Sequence, residues 1–160
     1  RGASGSPGEL RGDFDLTRDL GSLYANTECG IFGVLPEENR PETVGEAIPV
    51  ARRAEVHTGK AVILANCRGD EVCAYEIEIE KLYGGSAPTR NLLLRVTDPT
   101  LIALTGGIVQ GMSGSPIVQD GKLVGAVTHV LLDDPQRGYG ILAENMLSAS
   151  GMTARSAASA

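Results

Sequence analysis

The stretch Ile108-Val109-Gln110-Gly111-Met112-Ser113-Gly114-Ser115-Pro116-Ile117-Val118-Gln119-Asp120-Gly121-Lys122-Leu123-Val124-Gly125-Ala126-Val127-Thr128-His129-Val130 decides how this chain reads. Asp120-Gly121 stands between the apolar pairs Ile117-Val118 and Leu123-Val124. An Asp-Gly pair between apolar runs is a strong signal for a two-residue hairpin turn. Ahead of the first arm, Gly111 and Gly114 bracket Met112-Ser113, and glycine permits torsions barred to residues with a side chain. The stretch therefore predicts a tight turn carrying a serine, braced by an antiparallel hairpin.

Working outward, the chain keeps the same habit of short apolar runs broken by turn residues. Ile31 to Leu35 closes on Pro36, and Glu37 to Glu46 is an acidic loop. Ala47 to Val56 is a further run, leading to the turn signal Thr58-Gly59, and Ala61 to Ala65 is continuous enough for a buried strand. Arg68-Gly69-Asp70 turns the chain, as a connection between strands requires, and needs no adhesive role. From Glu71 to Tyr83, Cys73, Tyr75, Ile77 and Ile79 alternate with Val72, Ala74, Glu76 and Glu78, which predicts a strand with one apolar and one acidic, solvated face. Leu92 to Val96 and Tyr139 to Leu142 complete the strands, Thr100 to Thr105 makes one helical turn, and a short helix ends near Leu147. Residues 1–28 read as loop with a short hairpin, and 148–160 as an Ala- and Ser-rich disordered tail. The expected fold is mostly antiparallel β, one domain over residues 1–147 with a short C-terminal helix.

The counts support that class and exclude others. A chain of 160 residues buries about 68–70% of its unfolded surface, and 42% of its residues are hydrophobic. The 21 glycines and 8 prolines suit many short strands rather than a helical bundle. With 14 basic against 20 acidic residues the net charge is -6, unlike a protein that neutralises phosphates, so no nucleic-acid partner is expected. Cys29, Cys67 and Cys73 include no C-x-x-C pair and read as ordinary thiols; a Cys67–Cys73 bridge across a hairpin stays open. No metal or cofactor is expected. The chain opens at Arg1 and its first methionine is Met112, so it is expected to be part of a longer product.

A serine hydroxyl is a poor nucleophile until a turn exposes it, backbone donors face the oxyanion, and a base takes its proton. Gly111-Met112-Ser113-Gly114 supplies the first two, with the N–H groups of Gly111 and Ser113 as donors. Ser4-Gly5-Ser6-Pro7 repeats the letters of Ser113-Gly114-Ser115-Pro116, so those four residues alone mark only a turn. The weight lies in the whole string. A strand, Gly-x-Ser-Gly-x-Pro, a two-residue turn and Leu-Val-Gly-Ala-Val-Thr together resemble the nucleophile region of chymotrypsin-like serine peptidases.

Gly106 to Ile117, Gly125 to Val130 and Gly138-Tyr139-Gly140 narrow the resemblance to the stage IV sporulation protein B family of signalling serine peptidases. Gly30-Ile31-Phe32-Gly33, Pro49 to Val56 and Leu94-Arg95-Val96-Thr97-Asp98 also fit, so the likeness covers roughly residues 5–147. It implies a chymotrypsin-like β-barrel peptidase domain, incomplete at its N-terminus. It implies Ser113 as nucleophile, Asp98 as the acidic catalytic member, Gly111 and Ser113 as the oxyanion hole, and Thr128, His129 and Val130 as the segment that pairs with substrate. It further implies secretion into the space between two spore membranes, self-cleavage, cleavage of a membrane-bound regulatory protein, and an upstream PDZ domain. Met112 stands where the digestive enzymes have an aspartate, so activation through a new N-terminus pairing with that aspartate is excluded.

The base is the difficulty. The family's histidine lies in a Gly-His segment, which this chain lacks, so the resemblance places it before Arg1. Of the two histidines present, His57 reads as an exposed residue entering a turn. By alternation His129 shares a face with Leu123, Gly125, Val127 and Leu131, as a partly buried residue beside the substrate cleft. Read from the residues alone, Thr97-Asp98-Pro99 is an ordinary strand exit or helix cap. Two rivals stand beside the peptidase reading: a degenerate, non-catalytic fold that binds an extended peptide, and a self-contained hydrolase using His57, Asp98 and Ser113.

Overall fold

Asp120 and Gly121 adopt φ of 51° and 73°. Positive φ at both central residues is the type I′ turn, whose twist matches that of the strands it joins. It connects β6 (Pro116–Gln119) to β7 (Lys122–Leu131), as the Asp-Gly signal requires. The computed structural model describes residues 15–43, 45–69, 71–84 and 87–151. Ser4-Gly5-Ser6-Pro7 and most of the Ala/Ser tail lie outside them.

Four more strands close the sheet on itself. β3 (Gly59–Arg68), β4 (Glu71–Leu82), β5 (Leu92–Val96) and β8 (Asp134–Leu142) join β6 and β7 in a barrel of order β3-β4-β5-β8-β7-β6. Every neighbouring pair is antiparallel. Two short helices complete it: α1 (Pro99–Thr105) between β5 and β6, and α2 (Ala143–Ala149) after β8. The mostly β expectation and the C-terminal helix hold, with α2 running two residues past Leu147. Ile63, Tyr75, Ile77, Ile79, Leu92, Leu94, Val96 and Ile117 fill the interior. Closure leaves no open edge along most of the sheet.

A separate hairpin of β1 (Ser22–Thr27) and β2 (Gly30–Val34) precedes the barrel. It leans on α2, where the Tyr24 hydroxyl donates to Ser150 O. Leu23, Tyr24, Ile31 and Val34 remain exposed on it.

Two expectations need correction. Ala47 to Val56 is not a ladder strand: it makes one parallel bridge, Val50 with Leu123, then a 3-10 turn at Arg53–Glu55. Pro49 has no N–H to offer a ladder, and the Arg52 N–H is taken by Glu55 Oε2 at 2.8 Å. The acidic face of β4 is not merely solvated. Glu78 and Glu80 pair with Arg95 of β5, and Glu80 also pairs with Arg137 of β8. Arg95 and Arg137 stand directly opposite each other, so Glu80 between them offsets a like-charge contact. Hydrogen bonds from Arg137 hold the Glu80 carboxyl below its ordinary range despite partial burial. Cys29, Cys67 and Cys73 are all free thiols, in line with the reading of them as ordinary thiols, and the Cys67–Cys73 bridge left open does not form.

Two outcomes follow. At Gly125 an added Cβ would lie 1.8 Å from Ile141 O, which forces β7 away from β8. Gly125→Ala should cost about 3 kcal/mol by urea denaturation, the upper end for overpacking; an unchanged midpoint would contradict the packing. Because Glu80 has a lowered folded pKa, its contribution is present above the unfolded value near about 4.3 and disappears as pH falls through the folded one. Melting temperatures of Glu80→Gln should therefore decline less steeply with acid than those of the unaltered chain.

Candidate active site

The Ser113 turn is held at both ends. At its start, Gly107 has φ 138° and packs so closely that a Cβ would lie 2.2 Å from Pro135 O, and the Ile108 N–H donates to that carbonyl at 2.8 Å. Ile108 and Val109 are buried. The chain then folds around Met112, whose side chain is 1% exposed and accepts from Val109 N–H through sulfur. Met112 N–H donates to Val109 O, and Ser115 N–H to Met112 O. With Met112 driven inward, its neighbours Gly111 and Ser113 face solvent. Gly111 and Gly114 take φ of 97° and 93°, where a side chain would be strained.

At its end the turn is stitched to β7. Gly114 N–H donates to Val127 O at 2.8 Å, and Val127 N–H donates to Ser115 O at 3.0 Å. This brings the Ser113 hydroxyl within 2.8 Å of Thr128 O, to which it donates. Among the described residues, the N–H groups of Gly111 and Ser113 donate to no protein acceptor. Two amides of exposed residues, separated by one residue and without an acceptor among the described residues, stand near a hydroxyl as donors for another partner, which suits an oxygen bearing negative charge.

The strand beside Ser113 is also open. Pairing of β6 with β7 stops at Pro116 with Ala126, while His129 and Val130 pair on their other side with Tyr139 and Gly138 of β8. Thr128 to Val130 therefore present a free edge next to the serine among the described residues. His129 differs from its expected half-buried place. Irregular register between Val127 and His129 breaks the alternation, and the imidazole is exposed.

Asp98 caps α1. Its Oδ1 accepts from the N–H groups of Thr100 at 2.8 Å and Leu101 at 3.1 Å, and its Oδ2 from Glu76 N–H at 3.2 Å. Burial pushes the Asp98 carboxyl up, but the amides of Leu101, Glu76 and Thr100 together hold it below its ordinary value. It is a charged carboxylate pinned between β4 and α1. Among the described residues no hydrogen bond joins it to Ser113 or to either histidine.

His57 lies elsewhere. Its Nδ1 is 2.9 Å from Thr58 O and its Nε2 is 2.7 Å from Asp120 Oδ2, contacts that raise its pKa, the Thr58 carbonyl first. The buried Gln119 fixes the segment by accepting from His57 N–H and donating to the carbonyls of His57 and Lys60. Ser113 precedes β6 and Asp120 follows it, so the strand's length of about 13 Å, at 3.3 Å per residue, separates the serine from His57's partner. The structure thus brings together Ser113, Gly111 and Thr128 to Val130. It does not bring His57, Asp98 and Ser113 into contact. No group of side chains among the described residues is arranged to hold a metal ion.

Sequence reasoning missed the anchoring role of Met112. It read that position only as a departure from aspartate, although a large apolar residue between glycines is a signal for inward packing. It also gave no role to Tyr83 and Arg90, which with the distant Tyr139 line a cavity beside His129; no local spacing links the β4–β5 segment to β8.

The comparisons bear on this geometry. No curated protein matches the chain. Among solved structures, the chain is similar to the Rv3671c protease in its inactive form, with 19% identity and a TM-score of 0.53, over 82% of this chain and 65% of that one. The active form of Rv3671c protease from M. tuberculosis gives 20% identity and a TM-score of 0.54, over 83% of this chain and 59% of that one. The likeness is one of fold, and the chain spans less than two thirds of those structures. The family model for SpoIVB peptidase S55 matches residues 1–147. With a barrel, an exposed Gly-flanked serine and a match over almost its whole length, the chain belongs to the SpoIVB peptidase S55 family.

Proposed function

We propose that the chain carries the nucleophile, oxyanion hole and substrate strand of a serine endopeptidase. The observation that carries this reading is the placement of Ser113 Oγ against Thr128 O, in a turn whose Gly111 and Ser113 amides have no acceptor among the described residues. An extended substrate adds to the free edge at Thr128 to Val130 by main-chain pairing. Ser113 Oγ attacks the scissile carbonyl carbon as its proton passes to a base, and the oxyanion forms against Gly111 N–H and Ser113 N–H. The C–N bond then breaks, the proton is delivered to the departing amine, and water hydrolyses the acyl-serine. Removing one such donor typically costs about 100-fold in rate or more.

The base in this proposal is a histidine in sequence preceding Arg1. Thr128 O only accepts the hydrogen bond of the Ser113 hydroxyl and is too weak a base to take its proton, and His57 is committed to Thr58 and Asp120. Asp98 is the acidic member, a fixed negative charge toward which an imidazolium would be drawn. The family suggests the rest: self-cleavage, a membrane-bound regulatory protein as substrate, an upstream PDZ domain, and action in the space between two spore membranes.

The test is a fluorophosphonate probe applied to the chain extended through the sequence before Arg1. Labelling should map to Ser113 and vanish in Ser113→Ala, together with peptidase activity. An unlabelled Ser113 would leave a peptide-binding module, and activity in residues 1–160 alone that is lost in His57→Ala would favour the self-contained hydrolase. Asp98 separates structure from chemistry. Asp98→Ala should cost about 1–2 kcal/mol through the lost cap. Asp98→Asn keeps a capping oxygen, so its stability should lie closer to that of the unaltered chain while peptidase activity is lost. Full activity in Asp98→Asn would remove the carboxylate from the mechanism.

A further inference from the structure

One cavity lies directly beside the free edge of β7. It has a volume of about 650 Å³ and is lined by His129 of β7, Tyr139 of β8, Tyr83, Thr89 and Arg90 from the segment between β4 and β5, and Glu28 from the β1–β2 turn. Tyr139 stands opposite His129 across the two strands, so these two side chains share one face of the sheet. The Arg90 guanidinium lies over the Tyr139 ring, 5.4 Å from its centroid, and Lys81 lies over Tyr83 at 4.9 Å. The two rings pack against each other at 6.2 Å. The cavity wall is thus aromatic and carries cations.

Arg90 has features of a residue held for a ligand. Its φ is 57°, a left-handed conformation that is strained for a residue with a side chain. Among the described residues it forms no ion pair, whereas Arg95 and Arg137 are both engaged by glutamates. Glu28 shares the cavity without pairing to it.

Antiparallel pairing fixes which substrate side chains reach this place. Ser113 marks the scissile carbonyl, so the residue before the cleaved bond lies opposite Thr128 and the second one back opposite His129. Directly opposed residues point to the same face, and alternation returns the fourth residue to it. We infer that this cavity is a specificity pocket for an acidic side chain, on the second or fourth substrate residue before the scissile bond, with Arg90 as its anchor. A guanidinium engages a carboxylate through a charge-assisted, often bidentate pair. Arg90 then already stands in position, stacked on Tyr139. This inference rests on the peptidase reading for its register, and its test reads binding as well as cleavage.

The experiment uses the chain extended before Arg1, with Ser113→Ala to prevent turnover, and fluorescent octapeptides carrying Glu, Gln or Lys at the second or the fourth position. Fluorescence anisotropy should show Glu peptides binding about tenfold tighter than Gln peptides at one of these positions, as a charged hydrogen bond provides. Arg90→Gln should erase the difference, and Arg90→Glu should transfer the preference to Lys. The same ranking should appear in kcat/KM of the active protein. Equal binding of Glu and Gln peptides at both positions, or a preference that survives Arg90→Gln, overturns the inference. An Arg90-dependent preference in binding without any cleavage supports the pocket while refuting the peptidase reading.

Discussion

Two main-chain hydrogen bonds, Gly114 N–H to Val127 O and Val127 N–H to Ser115 O, hold the candidate site together. They tie a glycine-flanked turn to the middle of β7, a strand locked between β6 and β8. Everything of chemical interest follows from that stitch. It ends the β6–β7 ladder, leaves Thr128 to Val130 open, and sets Ser113 against that edge. Met112 works from beneath: its buried side chain orients the turn so that Gly111 and Ser113 must face out.

The electrostatics divide between scaffold and site. Glu80, between two arginines, secures the β4–β5–β8 side of the barrel. Asp98 is charged and immobile because three amides hold it, a property useful both to a helix and to a histidine in need of orientation. The same carboxylate can serve both ends, since a cap uses its fixed lone pairs and a neighbouring cation responds to its field. Arg90 contrasts with both, as a cation in a strained backbone without a carboxylate partner among the described residues.

Much of this was legible in the residues. Asp120-Gly121, the alternation of β4 and the run Leu92 to Val96 carried their own periodicity, and the glycines around Ser113 announced a special turn. The resemblance to a peptidase family, which covers roughly residues 5–147, agrees with the family match over residues 1–147. What failed to show has physical reasons. Ala47 to Val56 is apolar enough for a strand, yet Pro49 and the Arg52–Glu55 contact divert it. The glutamates of β4 looked solvated because their arginine partners come from strands that only the closed barrel brings near. Strict alternation misplaces His129, because the irregularity in β7 carries no signal in the residue pattern. The cavity lining came from four separate segments, and no local pattern can report such a meeting.

The central claim is that Ser113, the two open amides and the β7 edge form one acylation site. A crystal structure of the chain extended before Arg1, in complex with a peptidyl boronic acid, tests it most directly. The account predicts boron bonded to Ser113 Oγ, one boronate oxygen within hydrogen-bond distance of Gly111 N and Ser113 N, and the peptide antiparallel to Thr128 to Val130. A boronate bound elsewhere, or a peptide seated away from that edge, would contradict it.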